Sequence, residues 1–225
     1  MKKSAIYKYN HELVKFEEVK RNRALWPIAT VVCMFVFFGQ APPGEVLASE
    51  VIKTYIEVYE GIESSYMYKE IKSPNKKAVA HLFKSLQYRL DFPYEDVMAV
   101  CYFESGLDHK ATNPYLFKDG THALGYIQWT PISRKEFGIT YEKLKCMNEF
   151  EQVELIYDYL SRHKGKIKSF PDLYMSVYLP SYLGKPGNTR FPQECIDVNP
   201  GLGSTVAEFR RIVTNKKKKY EKENI

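Results

Sequence analysis

The sequence predicts a mainly helical domain carrying one small β-hairpin, preceded by an N-terminal membrane helix. Three observations predict it. Several stretches of apolar residues recur at helical spacing. A single short apolar run, Ala123 to Thr130, is flanked by turn-forming residues. The segment Ala24 to Gly39 is uncharged and follows a basic leader. With 225 residues, removal of that leader leaves one domain with a real core, not two.

The leader, residues 1–23, holds seven Lys/Arg against three Glu. Basic charge on one side of an apolar run is the positive-inside pattern. Residues 24–41 are therefore read as a transmembrane anchor or signal segment. The run falls between the length of a full span and that of a signal core. It serves either as an uncleaved anchor with Trp26 at the interface or as a signal cut after Val46-Leu47-Ala48. Both readings export everything beyond Pro43. The net charge of +6 sits at the two ends, because residues 216–225 carry five Lys against two Glu. A nucleic-acid-binding domain needs its basic stripe on the folded surface, so no nucleic-acid partner is expected. The tail is read as basic and disordered.

Ala41-Pro42-Pro43-Gly44 interrupts the first helix. Residues 45–72 read as a helical stalk or first helix, with Val46, Val51, Tyr55, Val58 and Ile62 on one face. After the break at Ser73-Pro74-Asn75 the main domain runs over 73–215. Lys76 to Leu90 is amphipathic, with Val79, Leu82, Phe83, Leu86 and Leu90 on its apolar face. Tyr94 to Phe103 is a short apolar helix ending at Glu104-Ser105-Gly106. Leu107 to His122 reads as loop, and Ala123 to Thr130 as the hairpin strand. Helices follow at 131–137, 141–147, 149–163 and 171–183, then a loop over 184–203. A last helix spans Ser204 to Val213, capped by Ser204 with Glu208 nearby. Of the four cysteines, Cys33 lies in the apolar run; the other three cannot all pair and show no CxxC spacing. Cys101 reads as a buried, inert thiol. The histidines stand apart from each other and from cysteine, so no metal site and no cofactor are expected.

Glu104 is the candidate for chemistry. It closes the helix Val97-Met98-Ala99-Val100-Cys101-Tyr102-Phe103. The negative end of the helix dipole and the apolar surroundings both raise the pKa of a carboxyl there. A raised pKa suits a general acid near neutral pH. The competing reading is a solvated glutamate at a helix end.

The stretch from Glu104-Ser105-Gly106 to Ala111-Thr112-Asn113-Pro114, followed by Ala123-Leu124-Gly125-Tyr126-Ile127-Gln128-Trp129-Thr130-Pro131, resembles the lytic transglycosylases of the lysozyme-like fold. Phe137-Gly138-Ile139-Thr140 and Leu173 to Pro186 are similar to their phage-associated branch. The resemblance covers roughly Lys76 to Pro186. It implies an α+β lysozyme-like domain that cleaves peptidoglycan glycan strands, a murein-degrading lyase of the cell envelope. It implies that Glu104 is the catalytic acid and base, and that Ser105 orients it or the scissile bond. By the same resemblance Gly125, Tyr126 and Gln128 contact the glycan, Gly125 by letting backbone approach it. Tyr178 corresponds to the tyrosine that hydrogen-bonds the glutamate and completes the substrate-binding set, although Leu179-Pro180 replaces the Asn-Ala that follows it in the family. For Tyr174, Tyr178 and Trp129 core packing is the alternative. A hydrolase of the lysozyme type needs a second carboxylate, for which Asp108 and Asp119 are candidates against a turn-forming role. The rival class is an inactive glycan-binding scaffold of an envelope-spanning machine or phage particle.

Overall fold

The computed structural model describes residues 62–224. The leader, the apolar segment 24–41 and residues 45–61 lie outside the described residues. Among the described residues no helix is long and apolar enough to cross a membrane. The architecture is mainly helical with one two-stranded antiparallel sheet.

The part of residues 45–72 that is described is not a stalk. It forms two 3-10 turns, Ile62–Ser64 and Tyr68–Glu70. Ile62, Met67 and Ile71 are buried in the main core, so the domain begins before residue 73. Helix α1, Lys76–Leu90, buries Val79, Phe83, Leu86 and Leu90 as its periodicity predicts, with Ala80 and Lys84 added, while Leu82 is half-buried. It ends on Asp91 in the left-handed conformation (φ 59°), whose N–H donates to Gln87 O at 2.9 Å. An aspartate tolerates that backbone better than most residues.

Helix α2, Tyr94–Ser105, is the centre of the domain: Val97, Met98, Ala99, Val100 and Cys101 are all buried. A helix apolar on every side must be surrounded. α1 and the later helix Phe170–Tyr178 pack against it. Gly106 (φ 64°) closes α2, its N–H donating to Tyr102 O at 2.8 Å. Leu107 is also left-handed (φ 55°) and fully buried, which turns the chain sharply just after Glu104.

Residues 107–122, expected as loop, contain half of the sheet. Strand β1, Thr112–Leu116, pairs antiparallel with β2, His122–Leu124. β1 is exposed throughout, so no alternation of burial marks it in the sequence. The expected strand over 123–130 ends at Leu124. A turn then brings Trp129 N–H to Leu124 O at 2.9 Å. Helices α3 (Pro131–Glu136), α4 (Tyr141–Cys146) and α5 (Glu149–Ser161) follow where predicted. Asn148 and Glu151 form a reciprocal capping box on α5. α6 is Phe170–Tyr178, and a 3-10 turn covers Pro180–Tyr182.

The stretch 184–203 holds a further helix, α7, Gln193–Val198, with a 3-10 turn at Pro200–Leu202. The last helix, α8, runs over Val206–Asn224. The basic tail is thus helical through residue 224, not disordered. Its anchors are Val206, Phe209 and Val213, all fully buried, and Lys217, which ion-pairs with Asp96 of α2. Tyr220 lies 4.6 Å from Tyr102, ring to ring. Five lysines in ten residues read as solvated only while Tyr220 among them and the apolar positions before them go unweighed.

Candidate active site

Glu104 sits on the last turn of α2, partly buried. Desolvation raises its pKa above the ordinary carboxyl value. Two groups oppose that rise: the Tyr174 hydroxyl and the charge of Lys216. Tyr174 is 3 % exposed on α6, and its own pKa is driven up by burial and then by the Glu104 charge. Lys216 comes from α8, with Nζ 4.2 Å from the centre of the Phe103 ring. The chain therefore brings an acid from α2, a hydroxyl from α6 and a cation from α8 to one place.

Tyr178 does not hold Glu104. Its hydroxyl donates to Cys195 O at 3.2 Å, and its ring stacks on Phe209 at 5.5 Å and 2°. It belongs to an aromatic cluster with Phe191 and Phe209 that fixes the 184–205 segment against α6 and α8. The tyrosine whose hydroxyl acts on Glu104 is Tyr174, one helical turn earlier on the same face of α6.

Ser105 is spent on the helix: its Oγ donates to Cys101 O at 2.8 Å. Gly125 is buried (φ 84°) and opens the turn that follows β2, Gln128 N–H donating to its carbonyl at 3.1 Å. A Cβ on it would lie 2.3 Å from Gln152 Oε1, so its missing side chain admits Gln152 and not a glycan. That oxygen accepts from Tyr126 N–H at 3.2 Å, and Gln152 Nε2 donates to His109 O at 2.8 Å. Tyr126 is fully buried, its ring 5.5 Å from that of Phe83, and is core, not cleft. Trp129, 1 % exposed, packs on Phe137 and Tyr159 and is core as well. Gln128 is left-handed (φ 54°) and partly exposed; Nε2 donates to Gly125 O at 2.9 Å and Ala111 O at 3.2 Å. It clamps the turn to the segment that leads into β1.

The two alternative carboxylates form turns. Asp108 Oδ1 accepts from Lys110 N–H at 2.8 Å. Asp119 Oδ1 accepts from Thr121 N–H at 3.0 Å and from its hydroxyl at 2.7 Å, inside the hairpin loop. Those bonds, the Thr121 hydroxyl first, hold the Asp119 pKa down. Cys101, Cys146 and Cys195 are free thiols, Cys101 buried. No cluster of metal-ligating side chains occurs among the described residues.

An open cavity of about 470 Å³ lies beside the site, lined by Lys72, Tyr102, Phe103, Gly106, Lys216 and Tyr220 among others. Glu104 is not one of its walls, but its neighbours Phe103 and Gly106 are.

Sequence reasoning missed Lys216 altogether and left Tyr174 between a role in the site and core packing. The signal for Tyr174 was its four-residue offset from Tyr178. The signal for Lys216 was its place between Val213 and Tyr220 on a helical repeat. Protein-family models, curated proteins and solved structures were each compared with this chain, and none matches.

Proposed function

We propose that the domain is a peptidoglycan lytic transglycosylase with a lysozyme-like arrangement, Glu104 being its single acid and base. The observation that carries this reading is a partly buried carboxyl on the last turn of an apolar helix, desolvated there, beside Tyr174, whose ring lies 6.2 Å from that of Phe103. A protonated Glu104 donates its proton to the oxygen linking MurNAc C1 to the next GlcNAc. The C1–O bond breaks, and GlcNAc leaves with a free 4-hydroxyl. The resulting carboxylate takes the proton of the MurNAc 6-hydroxyl as that oxygen bonds to C1. The products are a 1,6-anhydro end and a regenerated acid, with no water consumed.

A hydrolase would need a second carboxylate near C1. The turn hydrogen bonds of Asp108 and Asp119 favour the one-carboxyl route. By the same reading the apolar N-terminal segment tethers the enzyme to the membrane, or exports it, so that the domain meets the cell wall.

Digestion of purified sacculi, with mass spectrometry of the fragments, tests the proposal. Anhydro-MurNAc ends from wild type and intact sacculi from Glu104→Gln are the expected result. Reducing ends would make it a hydrolase. Equal digestion by both proteins would refute the role of Glu104, and no digestion by either would leave the scaffold reading.

A further inference from the structure

We propose that Lys216 is a positioning residue of the Glu104 site: its ammonium, held on the Phe103 ring, is the counter-charge against which the Glu104 carboxylate forms. This rests on the reading of Glu104 as the acid.

The helix around Lys216 is anchored on both sides. Val213 is fully buried, Lys217 pairs with Asp96, and the Tyr220 ring lies 4.6 Å from Tyr102 and 6.3 Å from Phe103. Positions 213, 216, 217 and 220 share one helical face, and that face meets α2. Lys216 therefore has a defined place, with Nζ 4.2 Å from the ring of the residue that precedes Glu104 in the chain. Cation and ring attract each other, so the ammonium is held without a carboxylate in direct contact.

That separation matters chemically. A direct ion pair would occupy the Glu104 oxygens and keep the carboxyl ionised. A cation acting through space stabilises the carboxylate and leaves an oxygen open for the glycosidic oxygen and the 6-hydroxyl. The groups that act on Glu104 are Tyr174 of α6 and Lys216 of α8; Glu104 in turn acts on Cys101 of its own helix and on Tyr178. The groups around Lys216 in the cavity are Glu70 and Lys72 before α1, Tyr102 on α2, and Lys219, Tyr220 and Glu223 on α8. Lys219 pairs with Glu223 at 3.8 Å. Lys216 is exposed, yet desolvation of its ammonium lowers its pKa, and Glu104 opposes that. The coupling between the two is thus mutual.

The test is a ¹³C NMR titration of the Glu104 carboxyl in the full chain in detergent micelles, with the resonance assigned by its loss in Glu104→Gln. Lys216→Met should move the midpoint up by about half a pH unit or more. Lys216→Arg should restore it, and Lys218→Met should leave it unchanged. On sacculi, Lys216→Met should slow cleavage about three- to tenfold at the wild-type optimum and carry the alkaline limb of the rate profile to higher pH. A folded Lys216→Met with an unmoved Glu104 midpoint overturns the pairing while an active wild type keeps the acid assignment. A wild type that never cleaves sacculi overturns the acid assignment, and the positioning role with it.

Discussion

Tyr174 sets its ring 6.2 Å from that of Phe103 and its hydroxyl where it holds the Glu104 pKa down, one helical turn before Tyr178, whose hydroxyl donates to the backbone of Cys195. The two tyrosines share a face of α6 but differ in depth. Tyr174 is 3 % exposed and faces the end of α2, whereas Tyr178 is partly exposed and faces the segment before α8.

Tyr174→Phe should therefore impair cleavage far more than Tyr178→Phe. A hydrogen bond to a charged group contributes about 1.5–3 kcal/mol, or roughly ten- to a hundredfold in rate if it acts in the base step. The phenylalanine also removes a group that holds the Glu104 pKa down, so the acid form persists to higher pH. Initial rates on sacculi across pH check both effects. A larger loss from Tyr178→Phe would reverse the assignment.

Helix α1 was legible because burial imposes a period on its sequence, and α2 because it is apolar all round. Val79, Phe83, Leu86 and Leu90 mark α1, and the unbroken apolar run marks α2. β1 was not legible, since all five of its residues are exposed and burial leaves no alternation to read. The tail was misread because its lysines outnumber the few residues that anchor it. In the site, Glu104 was legible from its helix. The motif residues Gly125, Tyr126 and Gln128, expected to contact a glycan, hydrogen-bond and pack inside the turn. A spacing identifies a constrained turn. It does not say whether the constraint comes from a ligand or from a buried neighbour such as Gln152.

Glu104→Gln should stabilise the domain at neutral pH. Burial raises the carboxyl above its unfolded value, so the folded chain binds that proton more tightly than the unfolded one. The resulting stability is complete below the ordinary glutamate pKa and is lost as pH rises through the raised value. Glutamine is neutral at every pH and can still accept from Tyr174. Urea melts should show little difference near pH 4 and a gain on the order of 1 kcal/mol for the variant at pH 8. An equal or lower stability of the variant at pH 8 would mean that the folded protein does not penalise the Glu104 charge.

Lys217→Met should destabilise the domain, because it strands Asp96 at 7 % exposure without its cation. Desolvation already raises the Asp96 pKa, and Lys217 opposes that rise. Loss of one partner from such a pair costs about 1–3 kcal/mol at pH 7. The cost shrinks in acid, where a protonated Asp96 no longer needs the cation. Asp96→Asn combined with Lys217→Met should recover much of the loss. A melt of Lys217→Met indistinguishable from wild type at pH 7 would mean that the end of α8 is not held by this pair.

Gly125→Ala separates the two meanings of the hairpin glycine. A methyl group there meets Gln152 Oε1 at 2.3 Å on a backbone with φ of 84°. Gln152 cannot retreat easily, because it is 1 % exposed and both ends of its carboxamide are bonded, to Tyr126 N–H and His109 O. The substitution should cost roughly 2–4 kcal/mol from overpacking and backbone strain. Gln152→Ala alone should also destabilise, since it leaves the buried N–H of Tyr126 without an acceptor. The double variant should be more stable than the sum of the two losses, because the shortened side chain makes room for the methyl group. Thermal melts of the four proteins give that coupling. If Gly125→Ala instead melted like wild type and failed only on sacculi, the glycine would be shaped for a glycan, and the buried Gln152 would be incidental to it.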